Sequence, residues 1–300
     1  MVNFYISTDS TADLFAEEIK SLGVGFLPLT LTVEKNGQFE FLPDNFQSRQ
    51  DYIDFFNMLR AGVSIKTSMN NLDVHYKYFT KLAEEGNKNI LHFTISYGLA
   101  PTMDVAHKAI EMVKEKYPDF SVKVVESHTT TVGQGMLVKE ACKMRDSGAT
   151  IEQTEAYVNE LKMHIQHYVV VDDLFHLKRG GRISGAAAAI GTLAQLKVII
   201  SFDRDGKLQV IKKVMGGRKK AIKAITDEFS NFTTAKPDCH CIVCHTDNEV
   251  GAKELAEELQ SRYGINTEIR MIGATIGCHV GPGAIAYVFV ADELRPEIIK

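Results

Sequence analysis

The chain has 300 residues, of which 45% are hydrophobic, and this is enough apolar material for a packed core and for two domains. Its net charge of −4 at pH 7 argues against a nucleic-acid-binding protein, and no apolar run is long enough to cross a bilayer. The five cysteines are odd in number and irregularly spaced, so we expect free thiols in a reducing cytosol.

Strands and helices alternate in the first half of the sequence. Val2–Ser7 is a predicted strand, and because no basic stretch precedes this apolar segment we do not expect a secretory signal. Ser10 and Asp13 have the spacing of a capping box, which predicts a helix from there to about Leu22. Further strands are predicted at Gly23–Val33, Asn89–Ile95 and Ser121–Glu126, and further helices at 45–60, 72–85, 102–117, 133–147 and 150–166. This alternation predicts a mostly parallel sheet with helices on both faces.

Four loops follow elements of this predicted sheet and begin at Asp9, Thr67, Ser96 and Ser127. Ligands of open α/β sheets bind at the carboxyl ends of the strands. We therefore expect these loops to form one rim of a binding site.

The second half has a different order of elements. An Ala-rich stretch, Gly185–Leu196, predicts a helix capped by Ser184, and Asp203–Gly206 predicts the turn of a hairpin. Strands are then predicted at Cys239–His245, Thr267–Ile272 and Ala284–Ala291, with helices at 218–229 and 246–263. We predict two domains, an α/β domain of residues 1–165 and an α+β sandwich of residues 166–300.

Positive charge is concentrated in one segment. Between Leu174 and Ile225 there are twelve Lys and Arg residues and two acids, a net charge of +10 on a chain that is acidic as a whole. Such a segment favours contact with something negative, although a solvated basic face explains it as well.

Three motifs together resemble the DegV family, the fatty-acid-binding subunits of bacterial fatty acid kinase. They are Asp9–Asp13, Leu177–Ser184 and Ile276–Gly283, and the resemblance covers essentially the whole chain in order. It implies a cytoplasmic protein of phospholipid metabolism that holds a long-chain fatty acid between two α/β domains. It also implies a lipid-binding subunit without catalytic residues of its own, and we expect neither a cofactor nor a metal.

The resemblance further implies that three loops grip the carboxylate. Family members usually have Thr-Ser-Gln-Pro-Ser where this chain has Thr67–Asn71, and Ser-Ser-x-Leu-Ser-Gly-Thr where it has Ser96–Thr102; the third loop contains His279. This chain departs from the family at Met69, Asn70, Asn71, Tyr97, Ala100 and Pro101. The implied ligand-binding residues are Thr67, Ser68, Ser96, Thr102, His279 and Gly281. Such hydroxyl and imidazole groups can bind a carboxylate, and burying the tail gains about 0.8 kcal/mol per methylene.

The implied partner is a separate kinase subunit. No G-x-x-x-x-G-K-[ST] or G-x-G-x-x-G motif is present, so the nucleotide must come from another protein. Within the basic segment we predict that Arg179, Arg182 and Arg218 dock this partner. We predict no nucleic-acid partner and no stable membrane insertion.

Several alternatives remain at this point. Thr67 and Ser96 are also explained as ordinary helix caps. A hydrolase or transferase would use Ser96 or Cys278 as nucleophile with His279 as base, although no G-x-S-x-G motif supports it. Cys239–His245 suggests zinc, but alternation along a strand puts only three of its Cys and His side chains on one face. A nucleic-acid-binding regulator would use the basic segment but lacks a recognised reading motif.

Overall fold

The computed structural model describes residues 4–35, 37–172, 174–183, 195–232 and 240–297. The strands are β1 (Tyr5–Asp9), β2 (Gly25–Leu27), β3 (Thr30–Lys35), β4 (Gln38–Pro43), β5 (Ser64–Ser68), β6 (Asn89–Thr94), β7 (Ser121–Glu126), β8 (Ile165–Val171), β9 (Leu196–Phe202), β10 (Leu208–Met215), β11 (Cys241–His245), β12 (Thr267–Met271) and β13 (Ile285–Val290). The helices are α1 (Ala16–Leu22), α2 (Arg49–Arg60), α3 (Leu72–Glu84), α4 (Thr102–Lys116), α5 (Thr131–Asp146), α6 (Ile151–Leu161), α7 (Phe175–Arg179), α8 (Gly217–Asp227), α9 (Glu249–Tyr263) and α10 (Ala274–Val280).

The first sheet confirms the predicted parallel architecture. Its order is β2-β1-β6-β7, and every pairing is parallel. Side chains alternate between its faces, so Ile90 packs in the cluster of α3 and α4, whereas Leu91 packs with α5 and α6 on the other face. A separate antiparallel sheet, β4-β3-β5, packs its apolar face against α2.

The six-stranded sheet of the second half has the order β10-β9-β8-β13-β11-β12. All its pairings are antiparallel except that of β11 with β12, and the hairpin predicted around Asp203–Gly206 is confirmed as β9 and β10. One face packs against α8 and α9, and the other packs against elements of the first half. The predicted helix at Gly185–Leu196 falls almost wholly outside the described residues. The division at residues 165 and 166 stays a prediction.

The capping-box prediction at Ser10 was wrong. Residues Ser10–Ala12 form a short 3-10 helix, and α1 begins only at Ala16. The Ser10 hydroxyl instead accepts a hydrogen bond from the backbone N–H of Leu29, 3.1 Å away, and Asp13 has the left-handed φ of 48°. Ser10 and Asp13, which the local pattern assigned to a helix start, therefore have other roles in the tertiary structure.

Every helix among the described residues is too short or too polar to span a bilayer.

Candidate functional site

A row of small and branched side chains crosses the inner face of the six-stranded sheet. Ile200 lies opposite Val169, Val169 opposite Ala286, and Ala286 opposite Cys244, so four neighbouring strands each contribute one residue. Directly opposed residues point to the same face, and three strand spacings of ~4.8 Å give the row a length of about 14 Å. All four side chains line one cavity. The register of the sheet therefore creates a continuous apolar floor.

The cavity lies where this floor meets the loops of the first half. Including the part that is open to solvent, it encloses about 810 Å³ of empty space. Its remaining apolar lining consists of Leu29, Met69, Ile95, Leu99, Ala100, Leu177, Phe202, Leu208, Ile272, Ile276 and Val280. Its polar lining consists of Thr67, Thr130, Thr131, His167, Arg182, Thr275 and His279. The predominance of carbon suits a ligand that is mostly hydrocarbon.

Thr67 and His279 meet in the cavity wall. The Thr67 hydroxyl is 2.7 Å from Nε2 of His279, at the end of β5 and the last turn of α10 respectively. Burial, with the nearby charge of Arg182, lowers the pKa of His279 to about 4, so the imidazole is neutral at pH 7. Its buried Nδ1 has no hydrogen-bond partner. The pair thus has unused hydrogen-bonding capacity beside the apolar floor.

Gly180 lets the loop after α7 approach this imidazole. A Cβ atom at Gly180 would lie only 2.1 Å from Nδ1 of His279, so a larger residue would displace the ring or the loop. The same loop carries Arg182, whose Nη1 donates to the carbonyl oxygen of Gly180. The Gly180-Gly181 pair therefore positions a cation next to a neutral imidazole.

Arg182 lines the cavity, whereas the sequence assigned it to a docking surface. It is half-buried, and burial lowers the pKa of its guanidinium, which nevertheless stays protonated in proteins. Among the described residues that line the cavity, it is the only side chain with a permanent charge. A guanidinium beside Thr67 and His279 supplies the donors that a carboxylate requires.

The other four predicted ligand-binding residues lie outside the cavity lining. Ser68 is exposed, the Ser96 hydroxyl donates to the Gly206 carbonyl at 2.7 Å, and the buried Thr102 hydroxyl has no partner. Gly281 has φ +79°, and a Cβ atom there would lie 2.5 Å from the His176 ring. Ser96 thus holds the first domain's loop against the β9–β10 turn. Roles for these residues in ligand binding stay predictions.

The remaining predicted docking residues lie at the surface. Arg179 is exposed, with its guanidinium 5.4 Å from the centre of the Phe175 ring and Nη2 3.3 Å from Nδ1 of His176. Arg218 binds both carboxylate oxygens of Glu254, at 2.7 and 2.9 Å. The positive charge of Arg218 is therefore partly neutralised by Glu254.

The geometry does not support the proposed nucleophiles. Burial raises the pKa of Cys278 to about 11, and its thiol donates to the carbonyl oxygen of Ile65 at 3.2 Å. The Ser96 hydroxyl is bound to a backbone carbonyl and not to a histidine. In the part of the chain that the structure describes, no three His, Cys, Asp or Glu side chains are placed to hold a metal.

Three buried carboxyl groups lie behind the cavity. Asp9, Asp13 and Asp44 are each at most 6% exposed, and burial raises the pKa of all three, that of Asp9 to about 6. The Asp44 carboxylate accepts from the backbone N–H of Thr275 at 3.1 Å, which ties this cluster to α10. This end of the interior therefore favours neutral or donor groups over a second anion.

The cluster predicts an unusual pH dependence of stability. Because the pKa of Asp9 is about 6 in the folded chain and about 3.9 when unfolded, folding takes up a proton between these values. Stability should therefore rise by about 0.8 kcal/mol as pH falls from 7.5 to 5.5, and Asp9→Asn should remove this rise while stabilising the protein at pH 7.5. Thermal unfolding at pH 7.5 and at pH 5.5 measures this change in stability.

Asp119→Asn is the control, because the Asp119 side chain is 81% exposed. If wild type and Asp9→Asn respond equally to pH, the raised pKa of Asp9 is contradicted.

Sequence reasoning missed Thr130 and Thr131 as cavity residues. Both stand at the start of α5, are 5% exposed and have hydroxyls without a hydrogen-bond partner. The run Thr129-Thr130-Thr131 in the fourth predicted rim loop was a signal that could have found them. Thr131 also has φ 53°, which is a strained value for a β-branched residue.

Comparison with known proteins places the chain in a family. The DegV family model, described as an uncharacterised protein family, matches residues 3–292. A DegV domain-containing protein of Clostridium perfringens is 34% identical over 297 residues, which is 99% of this chain and 100% of that protein. Another, from Streptococcus pyogenes, is 32% identical over 98% of this chain and 100% of its own length.

Solved structures show the same architecture. A DegV lipid binding protein from Thermotoga maritima has a TM-score of 0.83 at 27% identity, over 98% of this chain and 100% of its own. A DegV family protein from Thermus thermophilus, described for its fatty acid binding, has a TM-score of 0.81 at 26% identity, over 96% and 99%. Both have a mixed α/β fold in two domains like the one described above. By sequence over its whole length and by fold, the chain belongs to the DegV family.

Proposed function

We propose that this protein binds one long-chain fatty acid in the cavity and presents the carboxylate to a separate kinase. The observation that carries the proposal is the apolar floor of about 14 Å beside Thr67, Arg182 and His279. The apolar floor suits a hydrocarbon tail, and the polar group of Thr67, Arg182 and His279 suits the carboxylate. Relatives from Thermotoga maritima and Thermus thermophilus are described as lipid or fatty acid binding, which supports the same ligand class.

The energetics favour long chains over short ones. Each buried methylene gains about 0.8 kcal/mol, whereas association costs roughly 4–15 kcal/mol in lost freedom of motion. A short-chain acid has too few methylenes to offset that cost. Because the carboxylate must also leave water, it requires hydrogen bonds and a counter-charge within the site.

The head group is assigned to Thr67, Arg182 and His279. Because Thr67 and His279 are hydrogen-bonded to each other, the pair has one free donor, which is either the Thr67 hydroxyl or the Nδ1–H of the neutral imidazole. The guanidinium supplies both charge and two further donors. Ser68, Ser96, Thr102 and Gly281 lie outside the cavity lining, and their contact with the carboxylate stays a prediction.

The kinase part of the proposal predicts a strict division of labour. Lipid-loaded protein with Mg-ATP should yield no acyl phosphate until the fatty acid kinase of the same organism is added, with hydroxylamine trapping the product. Arg179→Ala with Arg218→Ala should leave lipid binding intact and slow the transfer at low salt, less so as salt screens the exposed charges. Arg49→Ala, an exposed arginine outside the basic segment, is the control.

Two outcomes would contradict this division. Acyl phosphate formed by the chain alone with ATP would show a nucleotide site that the sequence does not reveal. A wild-type rate in the double variant at low salt would show that docking does not use Arg179 and Arg218. The single variants separate exposed Arg179 from Arg218, whose guanidinium is already paired with Glu254.

A further inference from the structure

A second polar group lies in the cavity, apart from Thr67, Arg182 and His279. It consists of Thr130 and Thr131, at the amino-terminal end of the 16-residue helix α5. Both residues are 95% buried, and neither hydroxyl has a hydrogen-bond partner. Thr130 is the N-cap residue, yet its side chain makes no capping hydrogen bond. The Thr130 hydroxyl is therefore unused by the fold, and the Thr131 hydroxyl has only the Cys244 thiol beside it, which is a weak hydrogen-bonding group.

A plain hydrocarbon chain is a poor partner for these hydroxyls. If an alkyl tail covers them, both lose access to water and gain nothing in return, and an unpaired buried polar group is costly. The amino-terminal end of a helix adds free N–H groups, which favour an oxygen atom nearby. An oxygen carried by the acyl chain would pair with these groups and remove the penalty.

The surrounding groups favour a neutral oxygen over a carboxylate. Gln134, one turn into α5, donates to the Asp9 carboxylate at 3.0 Å, so the start of the helix is close to the buried acid cluster. Burial also raises the pKa of Cys244, the floor residue near Thr131, so its thiol is neutral. Arg182 thus supplies a cation for the carboxylate at one place in the cavity. Near the start of α5, the cluster of Asp9, Asp13 and Asp44 would repel a second anion.

We propose that the preferred ligand is an oxygenated long-chain fatty acid, whose hydroxyl or oxo group binds Thr130 and Thr131. This inference rests on the proposed fatty-acid site and specifies its substrate class. A cavity without such a subsite would bind hydroxy acids more weakly than plain ones, because the hydroxyl would be buried unpaired. Tighter binding of a hydroxy acid than of the plain acid therefore supports the subsite, and weaker binding contradicts it.

The experiment compares stearate, oleate and a series of hydroxystearates that differ in the position of the hydroxyl, in displacement titrations of a fluorescent fatty acid. At least one hydroxystearate should bind wild-type protein about 5- to 30-fold more tightly than stearate. Thr130→Val with Thr131→Val, which keeps the side-chain shape, should remove this preference and leave stearate binding equal or tighter. Thr94→Val is the matched control, since the Thr94 hydroxyl is also buried and unpartnered but lies outside the cavity lining.

The comparison of stearate with the hydroxystearates uses wild-type protein, so it can be made even if the double variant does not fold. Stearate binding with weaker binding of every hydroxystearate overturns the inference and leaves the fatty-acid site intact. A preference that survives in the double variant, or that oleate matches, overturns it too, because it would then reflect chain shape. Absence of binding by all of the acids overturns the proposed function itself.

Discussion

Replacing Arg182 with methionine should weaken fatty acid binding by about 10- to 100-fold. The substitution keeps an unbranched side chain of similar length while removing the one permanent charge in the described lining of the cavity. A hydrogen bond to a charged group contributes about 1.5–3 kcal/mol, which corresponds to that range in affinity. Displacement of a fluorescent fatty acid by palmitate measures the change directly.

Arg179→Met is the matched control for this effect. Arg179 lies three residues earlier in the same motif, but it is exposed and absent from the cavity lining. Palmitate affinity within about twofold of wild type is expected for Arg179→Met. If Arg179→Met weakens binding and Arg182→Met does not, the two arginines have exchanged roles and the assigned carboxylate site is wrong.

Replacing Arg295 with methionine should destabilise the protein by about 3 kcal/mol or more. Arg295 is only 1% exposed and donates to the carbonyl oxygens of Ile165, His128, Asp203 and Lys162, at distances from 2.7 to 3.3 Å. These acceptors belong to both halves of the chain, and methionine would leave them buried without this donor. Burial lowers the pKa of Arg295 only to about 10, so the guanidinium is charged at neutral pH.

Thermal unfolding measures this loss, and a fall in melting temperature of about 5 °C or more is expected. Arg218→Met is the control because Arg218 forms a surface ion pair with Glu254, and such pairs contribute about 0–1 kcal/mol. Equal melting temperatures for wild type and Arg295→Met would show that the carbonyl groups find other donors. Such a result would show that Arg295 is not needed to hold the two halves of the chain together.

The parallel sheet and the β9–β10 hairpin were predictable because their signals are local, whereas β4 and β5 of the three-stranded sheet were not predicted. Alternation of strand and helix patterns indicated the parallel sheet, and Asp203–Gly206 between two apolar runs indicated the hairpin of β9 and β10. The start of α1 was not predictable in this way. Ser10 and Asp13 have helix-capping chemistry, but the Ser10 hydroxyl accepts a hydrogen bond from Leu29, and the Asp13 carboxyl group packs against Gly273.

The candidate site was predictable only in part, for the same reason. Thr67 and His279 were named through family resemblance, and they lie together although 212 positions separate them in sequence. Arg179 and Arg182 share one motif, and the sequence contains no signal that one faces solvent and the other the cavity. That choice depends on how the loop after α7 packs against His279, which is a tertiary contact.

The most direct test of fatty acid binding is native mass spectrometry of the protein purified from bacteria, before and after incubation with palmitate and oleate, with solvent extraction to identify any bound molecule. We expect one long-chain fatty acid per chain, and release of that acid on unfolding. Folded protein that keeps the mass of the bare chain after incubation with either acid would show that the cavity does not bind fatty acids.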